Sequence, residues 1–196
     1  MKTTTFRILL LISMVAFTFG CGRQVTRVAA DKQIDLSGRW NDTDSRMVAE
    51  ELTKQVLGQR WLPDFMQAHA GNRPVVVVGL VSNKSHEHID AETFLADIEK
   101  AFINSGSVRL VQAGEKREEL RQERGDQQQF ASPETMKKWG KELGADYIMQ
   151  GSINSIVDAH GKSKVVFYKV NLQLTDLETN EVVWIGDKEI KKMVNN

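Results

Sequence analysis

Pro74-Val75-Val76-Val77-Val78-Gly79-Leu80-Val81 is the stretch on which the fold turns. Four consecutive β-branched residues between turn signals read as a strand buried on both faces. The centre of a sheet is the simplest place for it. Toward the N-terminus, Val48, Leu52 and Val56 recur every four residues, with Met47 and Leu57 beside them. That spacing predicts a helix over 43–61. Asp42, Thr43 and Asp44 offer cap oxygens, and Pro63 closes the element soon after Trp61.

Toward the C-terminus, Asn83 to His88 forms a polar loop. Asp90 then caps a second helix with a stripe of Phe94, Leu95, Ile98, Ala101 and Phe102, ended by Gly106. Val108 to Val111 is a short strand. Residues 114–130 are rich in Glu, Arg and Gln, with Leu120 the one strong apolar residue before Phe130, and read as a solvated helix or arm. Ser132-Pro133-Glu134 starts a further helix, striped by Met136, Trp139 and Leu143 and stopped by Gly144. The last third changes period. Tyr147 to Val157 is a strand. Val170, Leu172 and Leu174 alternate with Lys169, Asn171 and Gln173, giving a strand with one wet face. Leu177 to Asn180 makes a hairpin connection to a strand from Val182 to about Ile190. The expected architecture is α/β: an open mixed sheet of about five strands with helices packed on it, as a two- to three-layer sandwich.

The chain has 196 residues, 41% apolar and 27% charged, which suits one domain with short appendages rather than a disordered chain. Lys+Arg and Asp+Glu are both 26, so no basic surplus calls for nucleic acid. One cysteine excludes an intrachain disulfide framework and a Cys-rich metal site.

That cysteine has a telling position. Lys2 and Arg7 precede an apolar run from Ile8 to about Phe19, too short for a comfortable bilayer span and of the right length for a secretory signal. Gly20-Cys21 ends the run and resembles a bacterial lipobox, although Thr18 stands where leucine is commonest. The resemblance implies cleavage before Cys21, diacylation of its thiol and acylation of the new amino group. Two or three acyl chains give stable membrane attachment where one does not. Gly22, in place of an aspartate, implies sorting to the outer membrane. The domain boundaries read as a signal over 1–20, a lipidated cysteine with a flexible tether over 21–42, and a globular domain over 43–196, with Trp40 packing at its edge.

No catalytic constellation is visible. There is no Gly-x-Ser-x-Gly elbow, no phosphate-binding loop and no second cysteine to serve as a nucleophile. His86 and His88 flank Glu87, but no second cluster completes a metal site. Neither a cofactor nor a metal is implied. An anchor, a tether and a compact domain without catalytic groups favour a binding module, not an enzyme. The candidate contact residues are Asn83, Lys84, His86 and His88 in the loop, and Arg121 in the polar arm.

Four segments carry a family resemblance: Arg73–Lys84 (Arg-Pro-Val-Val-Val-Val-Gly-Leu-Val-Ser-Asn-Lys), Phe94–Gly106, Leu143–Gly151 (Leu-Gly-Ala-Asp-Tyr-Ile-Met-Gln-Gly) and Leu172–Trp184. In this order, after a cysteine of lipobox type, they resemble the periplasmic domain of LpoB-type lipoproteins, activators of penicillin-binding proteins, over about residues 45–190. The resemblance implies a monomeric outer-membrane lipoprotein that docks a noncatalytic domain of a class A penicillin-binding protein. Such a protein would stimulate glycan polymerisation and transpeptidation and perform neither reaction. The tether here is short beside the long linker of the enterobacterial members. The alternative is an envelope assembly lipoprotein of the curli-secretion type. It would form rings and carry an amphipathic insertion, which the strongly charged segment 114–130 does not resemble.

Overall fold

The computed structural model describes residues 25–130 and 143–195. The chain divides into Met1–Lys32 and Gln33–Asn196. In the first unit, the described residues hold a single turn, closed by the Lys32 amide donating to the Ala29 carbonyl at 3.1 Å. The described residues of the second unit form four helices, α1 (Asp42–Leu57), α2 (Trp61–Ala68), α3 (Glu92–Ser105) and α4 (Gly114–Phe130), and five strands, β1 (Val75–Lys84), β2 (Arg109–Val111), β3 (Tyr147–His160), β4 (Ser163–Asp176) and β5 (Val182–Asn195). The helix expected from Ser132 and the signal segment lie outside the described residues.

The sheet order is β2-β1-β3-β4-β5. β1 runs parallel to both of its neighbours, and β3, β4 and β5 run antiparallel. The mixed α/β sheet expected from the sequence is therefore present. α3 carries the chain from β1 to its parallel partner β2, as a parallel pair requires a crossover. Val75 to Val78 are all buried, which agrees with a strand covered on both faces. β4 shows the predicted alternation over a longer span: Val166, Tyr168, Val170, Leu172 and Leu174 are buried, and the residues between them are half-buried. The buried set packs against Val48, Leu52 and Val56 of α1 and Phe94, Ile98 and Phe102 of α3. Both helices thus lie on one face of the sheet, and the core sits between them.

Three local readings are corrected. The expected helix over 43–61 is two helices. α1 stops at Gly58, whose amide donates to the Lys54 carbonyl at 3.1 Å, and α2 starts at Trp61. Pro63 does not end an element. It sits in the first turn of α2, where a missing N–H costs nothing. The cap of α1 is Asn41: its side chain accepts the Asp44 amide at 3.1 Å, and the Asp44 carboxylate accepts the Asn41 amide at 2.9 Å. β3 and β4 extend to a tight turn at Gly161-Lys162, with Gly161 at φ +59°. At Gly151 the β3 backbone passes so close to β4 that a Cβ would collide with the Asn171 carbonyl oxygen.

The opposite sheet face mixes polar side chains with the exposed Leu80 and Ile185. Ser82, Gln150, Ser152, Asn171 and Gln173 line an open groove of about 400 Å³ there. Beside it Lys169 pairs with Glu189 at 2.8 Å and Asp187 at 3.3 Å. Almost every described side chain of α4 is exposed, as its composition predicts. Among the described residues, no helix is long and apolar enough to cross a membrane.

Candidate functional site

The polar exit of β1 is a pinned loop. Asn83 organises it with both ends of its amide. The Asn83 Nδ2 donates to the carbonyls of Glu87 at 2.8 Å and Ile89 at 3.2 Å, and its Oδ1 accepts from the Ser85 amide at 2.9 Å and the Ser85 hydroxyl at 2.7 Å. An Asn is suited to this because it can donate and accept at once. Lys84 ends β1 opposite Asn154, with its side chain exposed.

His86 ties the loop to β3. The Ser155 Oγ accepts from the His86 backbone amide at 3.0 Å and lies 2.7 Å from His86 Nδ1. His86 Nε2 lies 3.1 Å from Glu87 Oε1. One assignment satisfies every atom: Ser155 donates its proton to Nδ1, and Nε2–H donates to Glu87. Both ring nitrogens are therefore engaged.

Glu87 is the centre of the cluster. Its side chain is 13% exposed. Besides His86, Oε1 accepts the Tyr168 hydroxyl at 2.8 Å, and Oε2 accepts the Trp40 amide at 3.1 Å. Tyr168 is fully buried. Burial first, and then the hydrogen bond and negative charge of Glu87, push its hydroxyl well above the ordinary tyrosine range. The Trp40 ring meets Tyr168 edge-on with centroids 5.5 Å apart and lies 6.5 Å from Phe94, and its indole N–H donates to the Ser45 Oγ at 2.9 Å.

Serine, histidine and glutamate in sequence suggest a nucleophile relay, but the hydrogen bonds are already spent. Ser155 Oγ accepts an amide, and both Glu87 oxygens hold structural donors. The group fixes a loop and presents it. Among the described residues, no three His, Cys, Asp or Glu side chains group as metal ligands.

The structure thus brings Asn83, Lys84 and His86 to one end of the sheet. His88 lies in the same loop with an exposed side chain. Arg121 is on α4, a different element, where it pairs with Glu118 one turn away. Cys21 lies outside the described residues. The sequence reading missed Glu87, Tyr168, Ser155 and Trp40 as a unit. The one available signal was Glu87 itself, a carboxylate between two histidines in a loop that ends at the buried Ile89.

A second polar centre fastens the chain entering the domain. Lys192 on β5 donates to Asp44 at 2.6 Å, Asp35 at 2.7 Å and the Arg39 carbonyl at 3.0 Å, using all three ammonium protons. Burial opposes the Lys192 charge, but the hydrogen bonds it donates to Asp35 and Asp44 outweigh that and raise the pKa. The hydrogen bond from Lys192 in turn lowers that of Asp35.

Among the described residues, the two polar clusters tie the 83–88 loop and the segment entering the domain to the mixed α/β sheet. The family model for the peptidoglycan-synthase activator LpoB matches residues 44–190, and the chain belongs to that family. Solved structures similar to it include the LpoB C-terminal domain from Escherichia coli (19% identity, TM-score 0.44) and that from Salmonella enterica (18%, TM-score 0.40). Each match covers 75% of this chain and 98% of the other. The NMR structure of E. coli LpoB matches at 14% identity and TM-score 0.41, covering 91% of this chain and 87% of that one. No curated protein matches by sequence.

Proposed function

We propose that this protein binds and stimulates a class A penicillin-binding protein from an outer-membrane lipid anchor at Cys21. The observation that carries the reading is membership of the peptidoglycan-synthase activator family over residues 44–190. Activation requires that the domain bind the working conformation of the synthase more tightly than the idle one, since equal affinity for both would shift nothing. A loop locked by Asn83 and His86 suits that role, because little conformational entropy is lost when a pre-ordered surface docks. Lys84 and His88 supply exposed donors on it, Asn83 and His86 hold the loop's shape and present the His86 ring at its surface, and Arg121 is a further candidate contact on α4. The domain acts as a monomer and leaves both reactions to its partner.

Photo-crosslinkers placed at Lys84 and at His88 in living cells are expected to capture a class A penicillin-binding protein. Capture is expected to fall when Cys21→Ala releases the protein from the membrane fraction. Capture only of unrelated proteins, or unchanged fractionation of Cys21→Ala, would contradict the respective half of the proposal.

A further inference from the structure

Residues 33–41 are held to the domain by a few polar pins and one ring. Asp35 Oδ1 accepts from Lys192 at 2.7 Å and from Asn41 Nδ2 at 2.6 Å, and the Arg39 carbonyl accepts from Lys192 at 3.0 Å. Gly38 adopts φ +67° and crosses so close to Val194 that any Cβ would collide with it. Trp40 inserts its ring beside Tyr168 and Phe94 and gives its amide to Glu87. At its end Asn41 shares the capping box of α1 with Asp44 and the Trp40 indole donates to Ser45, while the rest of the segment is exposed, with Leu36 at 93%. An element with few buried apolar contacts lies at the low-stability end of a fold and opens before the core does.

One of its pins belongs to the loop. Glu87 Oε2 holds the Trp40 amide, while Oε1 holds Tyr168 and faces His86. Any displacement of Glu87 that follows engagement of the 83–88 loop removes a hold on the segment, and by linkage release of the segment loosens the loop.

We infer that residues 33–41 are a releasable strap, and that Glu87 couples its release to the 83–88 loop, so that engaging the loop lengthens the chain between domain and anchor. The consequence for reach rests on the anchor reading proposed above. With the strap docked, residues 22–32 are the chain between Cys21 and the domain, about 40 Å at full extension. With it released, residues 22–41 span about 70 Å. Reach and effective concentration at a partner would therefore change without any change in the folded core.

Trypsin reads the strap directly, because the bond after Arg39 carries the carbonyl that Lys192 holds. The unlipidated chain is digested, and the cut after Arg39 is followed by mass spectrometry. Glu87→Ala lies far from the cut in sequence and leaves the protease's recognition residues unaltered. It is expected to speed this cleavage about tenfold, the scale of one lost hydrogen bond to a charged group. Tyr168→Phe removes the other bond to the same carboxylate while keeping the Trp40 pin, and is expected to leave the rate unchanged. Glu87→Gln, a milder change, tests the same pin if Glu87→Ala fails to fold. Equal rates in all variants would overturn the coupling, and so would equal acceleration by Tyr168→Phe. The assay involves no lipid, so an unmodified Cys21 would overturn the change of reach and leave the strap result standing.

Discussion

Lys192→Met is expected to cost about 3–5 kcal/mol of stability, the range for breaking a buried ion pair by removing one partner. The Asp44 side chain is 2% exposed, and its remaining bond in the variant is the Asn41 amide in the capping box. A buried carboxylate without its counter-charge must stay ionised at high cost or take up a proton. Asp35 contributes much less, since at 38% exposure water screens its share. For a chain of this size the loss corresponds to a fall in Tm on the order of 10 °C. Adding Asp44→Asn to Lys192→Met removes the stranded charge and is expected to recover part of the loss. Urea unfolding of the two variants measures both. A cost below about 1 kcal/mol for Lys192→Met would show that the pair does not hold the entry of the domain.

Phe94→Ala is expected to be comparably damaging, at about 3–5 kcal/mol. Phe94 is fully buried, faces the sheet from α3 in the same cluster as Ile98 and Phe102, and supports the Trp40 ring. Truncation removes apolar area and leaves a cavity that two packed layers cannot close. Leu80→Ser is the natural comparison, because Leu80 is 75% exposed and lies outside the core. Circular dichroism through a denaturant series should show a large shift of midpoint for the first and almost none for the second. Similar shifts for both would contradict the placement of the core.

Much of this fold was legible because its elements announce themselves locally. The run Val75–Val78, the α3 stripe and the alternation of β4 each have a period that only one secondary structure satisfies. The errors were equally local. Pro63 reads as a stop unless the start of α2 is known, and Gly58 gives a weaker signal than the proline. The turn at Gly161-Lys162 was missed because polar residues around it hide the continuing strands. Strand order was not legible at all, since pairing of β1 with β3 depends on contacts about 70 residues apart.

The site divides in the same way. Asn83, Lys84, His86 and His88 could be singled out as a polar exit from a buried strand. Their organisation could not, because it comes from Ser155, Tyr168 and Trp40, which lie 69, 81 and 47 residues from the loop residues they bind. Lys192 and Asp44 are 148 residues apart and carry no pattern that joins them. Long-range hydrogen bonds are products of the folded topology, and a window of sequence has no means of showing them.

The most direct test is a turnover measurement. The unlipidated chain is added at saturating concentration to a purified class A penicillin-binding protein from the same bacterium, and lipid II consumption is followed. A rise in polymerisation rate, with no lipid II consumed by the chain alone, is the predicted result. An unchanged rate despite demonstrated binding would contradict activation as the function of this domain.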